Sequence, residues 1–317
     1  MGIEAPNASI VMVARSLLLD RAAAAAVEHL HQGGVPSILL KGAAIATWLY
    51  DNGEVRPYVD IDLLVSPAQF DTAKDLLSQL GYRPRLIGAD PSELGPKELD
   101  LLGPANVCID LHHGLLGASG PAQYCWEVLS DHTVELKLAN GPEVRVLDLH
   151  ARAMHLALHA AQNGPIDIKA VADLERGLAK VSRTDWERAV VLAKQIGAAE
   201  AFAAGLRLVP AGQALADDLS LTRRLTVELA LRTQSAPPEA MFFERLRESQ
   251  GARRKAALLL RRLFPTPASL RDKSELARRG TVGMFVARVV HPLGVAVRFG
   301  PASIAWLRAW RHTTRPS

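Results

Sequence analysis

The run Val59-Asp60-Ile61-Asp62-Leu63-Leu64-Val65 constrains this chain more than any other stretch. Its β-branched and leucine side chains favour a strand, and carboxylates two residues apart lie on one face of a strand. The remaining positions are apolar, as in a strand covered on both faces, where unpaired carboxylates would be costly. Asp60 and Asp62 therefore call for cations. A second apolar run, Asn106-Val107-Cys108-Ile109-Asp110-Leu111-His112, carries another carboxylate, and Asp110 would join the pair if its strand lies in the same sheet.

Around these runs the pattern alternates between helices and strands. Ser9 to His31 has helical apolar spacing and ends at Gly33-Gly34; Val35 to Leu40 reads as a buried strand; Lys41-Gly42 turns it into a short helix, Ala43 to Tyr50. Ser66-Pro67 supplies a cap and a first-turn proline for a helix from Ala68 to Leu80. Thr133 to Leu138 and Val144 to Leu147 flank Asn140-Gly141, a hairpin signal. After Asp148 the spacing is helical: Leu149 to Gln162, Ile168 to Ala179 and Asp185 to Ile196, capped by Asp148, Asp167 and Thr184. From Ala236 onward no period stands out. A chain of 317 residues exceeds one ordinary core. The expected division is residues 1–148, an α/β domain with a small mixed sheet; 149–235, a helical substrate-binding domain; and 236–317, a basic, mostly helical region.

Composition narrows the class. Apolar residues make up 49% and charged residues 22%, which suits a packed globular protein. The charge is uneven: residues 241–317 hold 16 Lys or Arg against 4 Asp or Glu, whereas the first 240 hold 21 against 29. Arg253-Arg254-Lys255 and Arg261-Arg262 flank Ala256 to Leu260, a basic amphipathic pattern suited to an anionic partner. Scarce aromatics, 5% of residues, argue against single-stranded nucleic acid as that partner. Cys108 and Cys125 are too few for a disulfide framework, and a reducing cytoplasm is expected. No targeting segment is visible, and Arg288, His291, Pro292 and Arg298 interrupt the apolar stretch Thr281 to Leu307, so no transmembrane span is expected.

Phosphoryl-type transfer needs charge neutralisation on the phosphate, which two divalent ions about 4 Å apart supply. Mg²⁺ suits carboxylate oxygens. Upstream, Leu40-Lys41-Gly42 forms a strand-to-helix turn where glycine lets backbone approach a phosphate and Lys41 adds positive charge. Arg56 could grip a phosphate or fix a carboxylate.

The sequence Leu40-Lys41-Gly42, then Arg56, then Asp60-Ile61-Asp62-Leu63-Leu64-Val65, then Ile109-Asp110-Leu111-His112 resembles the polymerase β nucleotidyltransferase superfamily. It is most similar to a bacterial family with an LKG, R, DIDLLV pattern, whose members often accompany peptide natural-product genes, including lasso peptide clusters. The likeness extends over roughly residues 35–200. It implies a polymerase β-like fold, Asp60, Asp62 and Asp110 as catalytic metal ligands for two Mg²⁺, and Lys41-Gly42 with Arg56 holding a nucleoside triphosphate such as ATP. One departure is that Lys41-Gly42-Ala43 stands where the superfamily usually has Gly-Ser, so the turn hydroxyl is absent.

Other residues carry weaker expectations. His112 and His113 could line the pocket, and Lys169 and Asp173, four apart on a helix, read as an ion pair that could also touch substrate. His155 and His159 read as a structural pair, partly buried. The expected activity is Mg²⁺-dependent transfer of a nucleotidyl group to a hydroxyl or phosphate of a small-molecule or peptide acceptor, releasing pyrophosphate. Sugar or phosphoryl transfer onto a modified peptide, and a non-catalytic nucleotide-binding module, are the alternatives.

Overall fold

The computed structural model describes residues 8–51, 54–85, 98–138 and 142–314. The first part runs α1 (Ala8–Gln32), β1 (Ser37–Leu39), α2 (Ala43–Leu49), β2 (Asp60–Val65), α3 (Phe70–Gln79), β3 (Arg83–Pro84), β4 (Glu98–Leu102), β5 (Cys108–His112), α4 (Ala122–Asp131), β6 (Thr133–Lys137) and β7 (Glu143–Leu147). These strands form one mixed sheet in the order β3-β4-β5-β2-β1-β7-β6. β2 runs antiparallel to β1 and parallel to β5, and β4 runs antiparallel to β5. β6 and β7 pair antiparallel as the hairpin signal implies, although Asn140-Gly141 lies outside the described residues.

The two-residue period of β2 divides its side chains cleanly. Ile61, Leu63 and Val65 pack into a core with Leu19, Leu30, Leu77, Ile109 and Leu111, beneath α1 and α3. Asp60 and Asp62 therefore face the other way, on the side of Leu64. That side is covered by the helices that follow: α5 (Leu149–Asn163), α6 (Ile168–Lys180), α7 (Arg183–Gln195), α8 (Ala199–Leu206), α9 (Pro210–Asp218) and α10 (Val227–Thr233). Ile38, Leu40, Leu64 and Leu147 from the sheet share one core with Met154, Leu158, Leu174, Trp186 and Phe202 from these helices. Asp148 and Asp167 cap α5 and α6 as expected, but α7 begins earlier than its sequence suggests, with Ser182 rather than Thr184 as its cap. The Ser182 hydroxyl accepts the Asp185 N–H at 3.2 Å, a contact Thr184 is too close to provide.

The last part is helical throughout: α11 (Glu239–Glu248), α12 (Ala252–Leu263), α13 (Pro267–Lys273), α14 (Glu275–Arg278) and α15 (Gly280–Thr314). α15 continues through Pro292 and Pro301, so the interruptions read from the sequence do not break it. By length and composition it is the one helix among the described residues apolar enough to cross a bilayer, and only 11% of its most apolar window is buried.

Candidate active site

Register places the carboxylates in a row. Asp62 stands opposite Asp110 across the parallel β2–β5 pair, and Asp110 stands opposite Asp100 across the antiparallel β5–β4 pair. Asp60 follows the same face of β2, and Glu98 the same face of β4, opposite His112. These groups line a cavity of about 310 Å³ closed on its far side by His159, Gln162 and Asn163 of α5 and by Asp167 and Lys169. Gly42 forms part of its rim at φ +63° and ψ −122°, a conformation that only glycine adopts without strain; a Cβ there would also meet the Tyr58 ring at 3.4 Å.

So many like charges on neighbouring strands cannot all ionise unaided. Burial, and then the charges of Asp62, Asp60 and Asp100, push the Asp110 carboxyl up to about 8. Burial and Asp62 also raise Asp60. Asp62 behaves oppositely: burial opposes its charge, but Lys41 and His112 outweigh burial and hold it well below the usual carboxylate range. Lys41 Nζ lies 2.6 Å from Asp62 Oδ1, and His112 Nε2 lies 3.2 Å from the same oxygen. The other His112 ring nitrogen is 3.7 Å from Glu98 Oε2. Such a row of hard oxygen donors, two of them forced toward the neutral form, fits a divalent cation such as Mg²⁺.

Several expectations need correction. Arg56 borders the cavity but is not a free phosphate grip: it is buried, and its Nε and Nη2 fix a carboxylate outside the row, holding both oxygens of Asp173 at 2.6–3.0 Å. Tyr50 donates to the same carboxylate at 2.8 Å. Asp173 is thus the partner of Arg56 rather than of Lys169, because both of its oxygens turn away from the solvent side of α6. Lys169 instead stands near Asp60, where its charge, with that of Lys41, only partly offsets the upward push of burial and Asp62. His112 faces the cavity, but the neighbouring His113 packs edge-on against Phe70, as alternation along the chain requires.

Three contributors escaped the sequence reading. Glu98 and Asp100 sit in a short strand whose alternation, Glu98-Leu99-Asp100-Leu101, repeats the acid–apolar pattern of β2 and was the available signal. His159 belongs to the expected histidine pair, yet it lines the cavity, and both rings are buried rather than partly buried. Burial and the Lys41 charge keep His159 neutral, and burial lowers His155 to about 3.

A larger cavity of about 450 Å³ lies between α5, α8 and α10, lined by Leu116, Leu158, Leu229, Glu200, Glu228 and Arg232 among others. It contains none of the carboxylate row, but Gln162 lines both spaces, and a narrow cleft bordered by Lys41, His112, Leu158 and His159 runs between them.

Residues 7–211 match the protein family described as an uncharacterised nucleotidyltransferase, which is well over half of the chain. The chain belongs to this nucleotidyltransferase family. Nucleotidyl transfer is the general chemistry that membership of this nucleotidyltransferase family implies. No curated protein matches the sequence. Solved structures similar to this nucleotidyltransferase include the antibiotic-resistance factor ANT(2'')-Ia, with 16% identity, 59% of this chain and 91% of that chain covered, and a TM-score of 0.38. The lincomycin-bound lincosamide antibiotic adenylyltransferase LnuA has 13% identity, 48% and 91% coverage, and a TM-score of 0.34. A nucleotidyltransferase-like antigen of Paracoccidioides brasiliensis has 14% identity, 64% and 91% coverage, and a TM-score of 0.39.

Proposed function

We propose that this chain transfers a nucleotidyl group from a nucleoside triphosphate, ATP being the first candidate, to a hydroxyl or phosphate of a small-molecule or peptide acceptor. The observation that carries the reading is the in-register row Asp62–Asp110–Asp100, with Asp60 beside it, facing one cavity with Lys41. Asp60, Asp62 and Asp110 would hold Mg²⁺, which when bound supplies charge neutralisation on the triphosphate. Lys41 and the Gly42 backbone receive the phosphates. Arg56 acts one step back: its pairing with Asp173 fixes the loop before β2, and so the angle at which Asp60 enters the cavity. The acceptor hydroxyl attacks the α-phosphorus in line, its proton passes to the Asp110 carboxylate, and the bond to the β-phosphate oxygen breaks to release pyrophosphate. The acceptor approaches from the larger cavity, past Gln162 and His159, with Lys169 bordering its path.

The absent hydroxyl in Lys41-Gly42-Ala43 favours a second reading, transfer of a sugar or phosphoryl group from another phosphate-bearing donor onto a peptide. The enzyme is expected in the cytoplasm, with its basic tail on an anionic surface. The test incubates the purified protein with Mg²⁺, each labelled nucleoside triphosphate and candidate peptides or small natural products, then follows the label by mass. Transfer of nucleotidyl mass supports the first reading and of sugar or phosphoryl mass the second. Turnover and nucleotide binding that both survive Asp60→Asn unchanged would overturn both readings of this metal site, and nucleotide binding with no turnover in the unsubstituted protein would leave a non-catalytic module.

A further inference from the structure

Away from the acidic cavity, three side chains converge at the seam between sheet and helices. His132 closes the C-terminal end of α4, Asp148 follows β7 and caps α5, and His150 sits in the first turn of α5. His132 Nδ1 is 3.0 Å from Asp148 Oδ2 and 3.1 Å from His150 Nε2, and His150 Nε2 is 3.4 Å from the same Asp148 oxygen. The rings cross at 77° with centroids 4.9 Å apart. The arrangement is held from behind: Asp148 Oδ1 accepts the Ala151 N–H at 3.0 Å, and the Asp148 N–H donates to the His132 carbonyl at 2.9 Å.

Protons satisfy this triangle poorly. If both rings point N–H at Asp148, two donors crowd one oxygen with their nitrogens 3.1 Å apart. If His150 donates to His132 instead, a ring lone pair is left facing a carboxylate at 3.0 Å. A cation among the three atoms answers every contact at once. In a tetrahedral zinc site, with ligand distances of about 2.0–2.2 Å, neighbouring ligand atoms stand about 3.3 Å apart. The sides of 3.0, 3.1 and 3.4 Å bracket that value.

We propose that His132 Nδ1, Asp148 Oδ2 and His150 Nε2 form a binding site for a borderline transition-metal cation, Zn²⁺ being the best fit, with water completing the coordination. Two imidazoles select such an ion over the Mg²⁺ suited to the carboxylate row. The three side chains are a third exposed or less, so an ion can enter and keep a water. Arg152, one turn further along α5, is near enough for the Asp148 charge to act on it. Its guanidinium lies over the Trp48 ring at 5.2 Å, however, and makes no ion pair with Asp148. The position suggests what the ion does. It ties the end of α4, the end of β7 and the start of α5 together, and α5 is the helix that presents His159 and Gln162 to the cavity. This site is independent of the proposed transfer activity.

The test titrates metal-stripped, full-length protein with Zn²⁺ in excess Mg²⁺, by calorimetry, and repeats the titration with Co²⁺ to read coordination from its visible absorption. His132→Gln, His150→Gln and Asp148→Asn are compared, the last keeping an α5 cap. One Zn²⁺ per chain is expected, with a tetrahedral Co²⁺ spectrum, affinity reduced about tenfold or more in each variant, and a Zn²⁺-induced rise in melting temperature confined to the unsubstituted protein. Wild-type protein that binds no Zn²⁺ under these conditions, variants that bind it unchanged, or Zn²⁺ binding lost in Asp60→Asn instead, would overturn the proposal.

Discussion

Asp110 makes the protein's stability depend on pH in an unusual direction. Its carboxyl titrates near 8 when folded, against an ordinary 3.8. A group whose folded pKa is raised favours the folded state fully below the unfolded value, and that contribution is lost as pH rises through the folded value. Without divalent cation, the melting temperature should therefore fall by several degrees between pH 6 and pH 8.5, and Asp110→Asn should flatten most of the fall. An undiminished fall in Asp110→Asn, followed by scanning calorimetry in chelator, would remove Asp110 as its source. Millimolar Mg²⁺ should restore stability at the alkaline end, where the carboxylates are free to bind it. Asp62→Asn addresses the same row from the other end: turnover should drop by about 10² to 10³-fold or more, with circular dichroism unchanged.

Among the elements, the pairing of the Arg56 loop with α6 holds the cavity's two walls together. Removing one partner from a buried ion pair leaves the other charge stranded, at a cost of about 3–5 kcal/mol. Asp173→Ala should lower stability to urea by that amount, while Lys169→Ala, on the same helix but not in the pair, should change it by less than about 0.5 kcal/mol. Equal losses in both would mean that Asp173 matters only as part of α6. This pair also shows where sequence reading stops. Lys169 lies four residues from Asp173, so the local rule supplied a partner, whereas the true one is 117 residues away and only folding brings it near. The row on β2 and β5 was legible because acids within apolar runs declare both the strand and its face. β4 was not, since its five residues stand alone after a Gly- and Pro-rich stretch. The sequence predicts a mostly helical tail, but α15 does not read as one continuous helix because Pro292 and Pro301 within it read as breaks.

Taken whole, the molecule carries a large unpartnered apolar surface at its basic end. Val282, Phe285, Val286, Val289, Leu293 and Val297 recur every three or four residues along α15 and are all exposed. With the surplus of Lys and Arg around them, they are the face on which the proposed contact of the basic tail with an anionic surface can be tested. Full-length protein should co-sediment with vesicles containing anionic lipid and much less with neutral ones, high salt should weaken the binding, and Phe285→Asp should reduce it about tenfold. Equal sedimentation with both vesicle types, insensitive to salt, would argue against the electrostatic part. A further consequence lies in how the charge is spread. The first 240 residues are net acidic and the rest strongly basic, and α15 packs on α10, α11, α12, α13 and α14 rather than on the sheet. A body built this way is an electric dipole, and near a negative plane it turns before it lands, basic end inward. Such turning needs the plane's field, which at physiological salt reaches only about 8–10 Å, so it is confined to the last step of the approach.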